Sequence, residues 1–526
     1  MNNPHDSKHK RVNRKLNFNN SVSRIIFVSF AILLEIFMAV LMFTILSGYA
    51  EWVSILTRVI AVVLIFAIFS ENKNSAMKIP WIILISATPI IGVFIYMMLG
   101  FSATTPRMKK RYAMIQQETF PHLPDSSELS ESLLDLDPHA SNMSKYLFNY
   151  SGYPLYSNTD AAYYSDTNVA LEEIKNSLKE AESFIFIEYF SIEMGHAFSE
   201  ILDILTEKVE EGVEVRILYD DVGSARFINK AFAESMNKLG IKCLIFNPFT
   251  PVVNWYLNYR DHRKLIIIDG KVSFTGGFNL CDEYFNIVHP FGHWKDAGIK
   301  LTGEATLSFT ASFLEMWNGA KKASHEIPEN YSHYLSRHEY FTASDGYIQP
   351  FVDSPLDDEQ VGENVYISMI EASNRYIYFM TPYLVISDEM AHALTLAAKR
   401  GVDVRIITPG IPDKKAVYEL TRSYYNRLAT SGVRVYEYTP GFLHSKVCVT
   451  DDNMAFCGTI NMDYRSLYHS FEDGVVLYGS DQIAVIKKDF DDTFPQCDDV
   501  TDRYLANPNV FIRIERAFLR LFSPMV

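Results

Sequence analysis

Two stretches decide the architecture: HRKLIIIDGKVSFTGGFN, residues 262–279, and HSKVCVTDDNMAFCGTIN, residues 444–461. Written one above the other they align His262, Lys264, Asp269, Gly276 and Asn279 with His444, Lys446, Asp451, Gly458 and Asn461, at the same spacing from the histidine. A hydrophobic core has no reason to keep five polar or glycine positions at one spacing twice. Leu265–Ile268 and Val447–Val449 read as strands, so a histidine and a lysine two residues apart project from one face. Asp269-Gly270 is a type I′ hairpin signal and Asp451-Asp452-Asn453 a similar turn, so a returning strand brings Asn279 or Asn461 back beside its histidine. The aspartates have the opposite parity and sit at the turn, which predicts that they hold the hairpin although they belong to the motif.

The repeat extends outward from the motifs. FIFIEYF (184–190), a helix over 198–211 and EGVEVRILYDD (211–221) are matched by YIYFMTPYL (376–384), a helix over 389–400 and RGVDVRIITPG (400–410). Gly212 to Ile217 lines up with Gly401 to Ile406. Strands alternating with helices predict βαβ units, an α/β class and mostly parallel sheets covered on both faces. The chain is thereby divided into a segment 1–111, a polar linker over 112–160 with short helices, and two tandem halves, 161–345 and 346–526.

Residues 1–111 are of another kind. Residues 25–46 (IIFVSFAILLEIFMAVLMFTIL) carry one charge, Glu35; 53–69 form a second apolar run, with Arg58 near its start; 79–99 form a third, without charge. About 20 apolar residues cross a hydrocarbon core, so two to three transmembrane helices and a multi-pass place in the cell membrane are expected. The first run is too long for a signal peptide, and no small-residue cleavage site follows it. Lys8, Lys10, Arg11, Arg14, Lys15 and Arg24 precede the runs and Arg107, Lys109, Lys110 and Arg111 follow them. Both clusters favour the cytoplasmic side, whereas three full crossings would separate them; one run is re-entrant, or one cluster lies on the wrong side.

Charge excludes one large class of partner. Residues 1–111 hold 13 Lys/Arg against 4 Asp/Glu, while the other 415 residues hold 35 against 59. A body this acidic argues against nucleic acid, whose phosphates need basic faces. Five scattered cysteines without a CxxC pair exclude a disulfide framework or a cysteine zinc site.

Two facing histidines can serve as nucleophile and general acid–base in a two-step displacement. Two lysines and two amides can bind the non-bridging oxygens of one phosphoryl group. Several carboxylates beside the histidines, which a two-metal site would need, are missing from the motif. The pattern therefore predicts phosphodiester transfer without metal or other cofactor.

The paired HxKxxxxD motifs, followed by GGxN and GTxN, resemble the phospholipase D superfamily. More narrowly, GTINMDYRSLYHSFE (458–472), ERAFLRLFSPMV (515–526) and WIILISATPIIGVFIYMMLG before a basic stretch resemble bacterial cardiolipin synthases. That resemblance implies two phospholipase D-like domains about a pseudo-twofold axis with the site at their seam. It implies transfer of a phosphatidyl group between two phosphatidylglycerol molecules with release of glycerol; a hydrolase, another phosphatidyltransferase such as phosphatidylserine synthase, or an inactive membrane scaffold are the alternatives. His262 would be the nucleophile and His444 the acid–base, with Lys264, Lys446, Asn279 and Asn461 on the phosphoryl oxygens. Asp296 in HWKDAGIKLTG and Glu472 in HSFEDGVVLYG would each orient the histidine of the opposite half, their surroundings driving the two histidine pKa values apart. Phosphatidylglycerol and anionic membrane lipids are the implied partners. The departure from exact repetition is Gly276-Gly277 against Gly458-Thr459.

Two further segments suggest lipid or inter-domain contact. NPFTPVVNWYLNYRDH (247–262) places Phe249, Val252, Val253, Trp255, Tyr256 and Leu257 just before His262. FIRIERAFLRLFSPMV spaces Arg513, Arg516 and Arg520 at helical intervals among apolar residues, fit either to dock on its own domain or to lie on a bilayer.

Overall fold

A computed structural model describes residues 50–526 except 73, 98–105, 249–258, 322–330, 338–339, 343–345, 358, 507–508, 522 and 526. The 25–46 run, the first basic cluster and the apolar residues Phe249 to Leu257 lie outside the described residues.

The first half contributes β1 (Thr159–Tyr164), β2 (Phe184–Tyr189), β3 (Glu214–Asp220), β4 (Lys242–Phe246), β5 (Arg260–Asp261), β6 (Lys264–Ile268), β7 (Val272–Gly276), β8 (His293–Lys295) and β9 (Gly298–Gly303). The second contributes β10 (Tyr347–Asp353), β11 (Tyr376–Met380), β12 (Leu384–Val385), β13 (Asp403–Pro409), β14 (Arg434–Tyr438), β15 (Gly441–Leu443), β16 (Val447–Thr450), β17 (Met454–Gly458), β18 (Met462–Asp463), β19 (Ser470–Tyr478) and β20 (Cys497–Asp499). One sheet runs β1-β9-β7-β6-β2-β3-β4 and the other β10-β19-β17-β16-β11-β13-β14-β20. Strand for strand the two orders are the same, with β20 added at one edge.

Each sheet is more mixed than expected. Along these two strand orders only β2/β3/β4 and β11/β13/β14 pair in parallel and the other neighbours are antiparallel, while β5 joins β19 from the side as a short parallel pair. The tight turns after β6 and β16 explain this, because a short turn reverses the chain whereas a parallel neighbour needs a crossover. Both turn positions have positive φ: Asp269 54° and Gly270 66°, Asp451 52° and Asp452 63°. The crossover helices have the expected apolar faces. His196–Glu210 buries Ala197, Phe198, Ile201, Leu202, Ile204 and Leu205, and Asp388–Lys399 takes the same place in the second half. With helices on both faces, strands such as Lys264–Ile268 and Met454–Gly458 are buried along their whole length.

The segment over 112–160 is not a linker. The helices α4 (Pro106–Thr119) and Pro138–Ser151 bury Tyr112, Ile115, Met143 and Leu147 in the main core. Gln116 Nε2 donates to Glu315 at 2.9 Å, and Gln349 Nε2 donates to the carbonyls of Ser144 and Tyr153 at 3.2 and 3.0 Å. These apolar positions at helical spacing sit among enough Ser, Asp and Glu to make the stretch read as polar on average.

Ahead of this layer, α1 (Ala50–Ser70) covers the second apolar run, but the third is divided into α2 (Ser75–Ala87) and α3 (Pro89–Ile95). Among the described residues no helix is long and apolar enough to cross a membrane. In α1 the stretch free of charge begins only after Arg58, and Pro89 ends the helix in the third run.

Candidate active site

The two motifs meet at the seam of the halves, and short cross-half strands put them there. β5, immediately before His262, pairs with the start of β19, and the His262 amide donates to the Phe471 carbonyl at 2.9 Å. β15, immediately before His444, pairs with β8, and the His444 amide donates to the Lys295 carbonyl at 2.7 Å. The accepting residue is in each case the one before a carboxylate, Glu472 or Asp296. One pairing therefore fixes both the histidine and its partner from the opposite half.

The side chains follow that register. His262 Nδ1 lies 2.9 Å from both oxygens of Glu472, and His444 Nδ1 lies 2.8 Å from Asp296 Oδ2. Donation of the Nδ1 proton to a carboxylate leaves Nε2 with its lone pair. Lys264 Nζ donates to the His262 carbonyl at 2.5 Å; Lys446 Nζ donates to the His444 carbonyl and lies 3.0 Å from its Nε2. Lys446 Nζ is also 2.7 Å from His444 Nδ1, but with Nδ1 donating to Asp296, Nε2 is the ring nitrogen left to accept from the lysine.

Burial and like charge shape the protonation states. Desolvation first, then Lys264, Lys446, Lys414 and Arg465, hold His262 well below the ordinary imidazole range. Desolvation and Lys446 push His444 down to about 3 against the opposing pull of Asp296. Burial likewise lowers Lys264 to about 8 and Lys446 to about 7. The carboxylates diverge. Burial raises Glu472 to about 8 despite Lys264 and Thr459, whereas Asp296 ends below its ordinary value, because His444 and Lys446 outweigh its burial. Both histidines fall, and the asymmetry lies in the groups behind them.

The remaining motif residues divide into two sets. Asp269 accepts from the amides of Glu182, Ser183 and Phe184 at 2.8, 2.7 and 2.8 Å; Asp451 accepts from those of Asn374, Arg375 and Tyr376 at 2.6, 2.9 and 2.9 Å. Both therefore tie the turn to the strand before the crossover helix, and neither belongs with the reacting groups among which the motif counts them. Asn279 Oδ1 accepts from the Ser191 amide at 3.1 Å and its Nδ2 donates to Tyr284 Oη at 2.8 Å. Asn461 is buried with its Oδ1 unpartnered.

Several groups at the site escaped the sequence reading. Thr459 Oγ1 donates to Glu472 Oε2 at 2.5 Å. At the equivalent Gly277, a Cβ would stand 1.9 Å from Asp296 Oδ1, so Gly-Gly and Gly-Thr are each required by the carboxylate that overlies them. Asp473 accepts from Thr275 Oγ1 and, at 3.2 Å, from the Lys264 amide. Its counterpart after Asp296 is Ala297, and that mismatch is the only trace of it in the sequence. Phe190 stands edge-on to His262 with centroids 5.0 Å apart; Tyr284 and Trp294 flank His444 at 5.2 and 5.5 Å.

The family model described as "Cardiolipin synthase, PLD-like domain" matches residues 174–317 and 366–494, one segment in each half. The chain belongs to the cardiolipin synthase family of phospholipase D-like proteins. Cardiolipin synthase 2 of Bacillus cereus is 32% identical over 87% of this chain and 88% of its own length. Cardiolipin synthase of Halalkalibacterium halodurans is 30% identical over 91% and 96%. An uncharacterized protein of Streptococcus mutans is 41% identical over 87% of this chain and 98% of its own. Among solved structures, phosphatidylserine synthase of Haemophilus influenzae superposes with a TM-score of 0.56 over 73% of this chain and all of that one, at 13% identity. That likeness is one of fold. The phospholipase D-like family thus supplies the frame into which the cross-half histidine–carboxylate pairs are built.

Proposed function

We propose that this protein is a cardiolipin synthase that moves a phosphatidyl group from one phosphatidylglycerol to the glycerol hydroxyl of another and releases glycerol. The observation that carries the reading is the pair of complete motifs at one seam, each histidine bonded through Nδ1 to a carboxylate of the other half. His262 Nε2 attacks phosphorus, the bond to the departing glycerol oxygen breaks, and a proton from His444 Nε2 completes that leaving group. In the second step the incoming hydroxyl gives its proton to His444 and its oxygen displaces His262 from phosphorus.

The carboxylates support this division of labour. Ionised Asp296 favours an imidazolium at His444, the form an acid needs; Glu472, raised to about 8, does less to charge His262. A phosphodiester anion between Lys264 and Lys446 offsets the two positive charges that depress both histidines and draws Lys446 from His444 Nε2, which is then free to carry its proton. The same lysines and the side-chain amides of Asn279 and Asn461 would hold the phosphoryl oxygens, with no metal or other cofactor required.

The two halves, 161–345 and 346–526, form the catalytic body. Residues 1–111 anchor it in the bacterial cell membrane, with the 25–46 run as a span. Purified protein given radiolabelled phosphatidylglycerol in the presence of a chelator should yield labelled cardiolipin and free glycerol in equal amounts. Phosphatidic acid as the sole labelled product would replace the transferase with a hydrolase.

A further inference from the structure

The third apolar run turns back on itself. Trp81 in α2 and Tyr96 just past α3 meet edge to face, with ring centroids 5.3 Å apart; along one continuous helix they would stand roughly 22 Å apart. Thr88, with φ −137° and ψ 73°, breaks the helix, and Pro89 opens the next. Gly92 presses so closely on the other arm that a Cβ would lie 2.6 Å from the Leu84 carbonyl oxygen.

A hairpin has both ends on one side, and here that side is the catalytic body. Asn74 Nδ2 donates to Glu389 at 3.0 Å and to Tyr468 Oη at 3.2 Å, and Ala76 and Met77 pack on the core of the body. Beyond the hairpin, Met108 and Tyr112 of α4 return to the same core. A re-entrant third run removes one of the three crossings that would set the two basic clusters on opposite sides of a membrane.

The C-terminal helix α5 (Val510–Leu521) lies against α2. One side is held by the body: Arg520 donates to Ser423 Oγ at 3.1 Å and covers the Tyr424 ring at 4.5 Å, while Leu519 packs on the core. The other side presents Val510, Phe511 and Ile514 to the outside, Phe511 being 79% exposed. Arg513 and Glu515 on α5 and Lys110 on α4 are exposed. An exposed apolar face continuous with an apolar hairpin suits the headgroup region of a leaflet better than water, and the basic excess of residues 1–111 favours an anionic one.

We propose that α2 and α3 form a re-entrant hairpin dipping into the leaflet that faces the body, and that α5 lies in the headgroup plane of that leaflet, so that this face docks on an anionic lipid surface. The proposal rests on reading residues 1–111 as a membrane anchor. By the positive-inside rule the shared face is cytoplasmic.

Single cysteines at Asn72→Cys, Thr88→Cys and Lys110→Cys, in full-length protein carrying Cys497→Ser, test the hairpin with a membrane-impermeant maleimide. Asn72→Cys and Lys110→Cys should both label in inside-out vesicles and neither in right-side-out vesicles, and Thr88→Cys should label in neither. Labelling of positions 72 and 110 from opposite faces would make the third run a full span; aqueous labelling at 88 would take the hairpin out of the lipid. For α5, an environment-sensitive fluorophore on Phe511→Cys should be quenched several-fold more by brominated lipid in phosphatidylglycerol-containing vesicles than one on Arg513→Cys. Equal quenching at the two positions would overturn the in-plane placement. None of these readouts needs catalysis, so they separate a wrong docking face from a wrong reaction.

Discussion

His262 and His444 occupy equivalent points of two halves whose strand orders match, yet their seats differ in three respects. Glu472 behind His262 is buried, raised to about 8 and braced by Thr459; Asp296 behind His444 stays below its ordinary value and lies over the bare Gly277. The first motif is also gripped across the seam by Asp473, which has no counterpart at Ala297. Among the described residues one aromatic ring, Phe190, packs on His262, against Tyr284, Trp294 and Phe442 around His444. On the proposed mechanism, a duplicated frame delivers two identical groups to one phosphorus and gives them different tasks through the groups behind them.

The most severe break of this comparison is removal of either histidine. Both His262→Ala and His444→Ala should lower turnover by about 10³-fold or more. Only His444→Ala should leave a slow phosphatidyl adduct on His262, identified by mass spectrometry after acid quench; an adduct on His444 in the His262→Ala protein would exchange the roles. Next in size is Gly277→Thr, which copies the second motif into the first. It would drive Asp296 away from His444 and should cost about 10²-fold in kcat, whereas Thr459→Gly, the reverse exchange, should cost less than about 10-fold.

The carboxylates sharpen the comparison through pH. Asp296→Asn removes a charge present at pH 7 and should lower kcat about 10²-fold. Glu472→Gln should cost less than Asp296→Asn at pH 7, because burial raises Glu472 whereas Asp296 stays below its ordinary value, and its cost should grow as pH rises. For the unmodified protein, kcat/KM should fall as pH rises through 7 to 8, because Lys446 and Lys264 lose the charge that attracts the phosphodiester. A flat profile to pH 9 would mean that the lysines are not the electrostatic element. The smallest effects belong to the turn aspartates. Asp269→Ala should lose about 2 kcal/mol of stability and Asp451→Ala somewhat less, since Asp451 is the less buried. Thermal unfolding measures both, and unfolding temperatures that do not move would contradict the role assigned to them.

Reading the chain by its local patterns was most secure where a physical period is short. The strand at 184–190 is observed over Phe184–Tyr189, the helix at 198–211 over His196–Glu210, and the helix at 389–400 over Asp388–Lys399. The turns at Asp269 and Asp451 follow from residues that tolerate positive φ. Reading failed where averaging hid a pattern, as over 112–160, and where continuity of apolar residues was taken for continuity of helix, as over 79–99.

By itself the sequence determined the duplication, the α/β halves, the two motifs and the chemistry that two histidines and two lysines imply, because residue types and spacings of two to seventeen positions are local properties. Only the tertiary structure decided which carboxylate stands behind which histidine. It also decided that Thr459 and Gly277 each answer to one of them, and that the third apolar run folds back at Thr88. Those outcomes depend on pairings between residues about 150 or more positions apart, His444 with Asp296 and His262 with Glu472, and on the packing of one helix against another. No periodicity along a single chain encodes such contacts; they exist once the two halves close on each other and bury the charges between them.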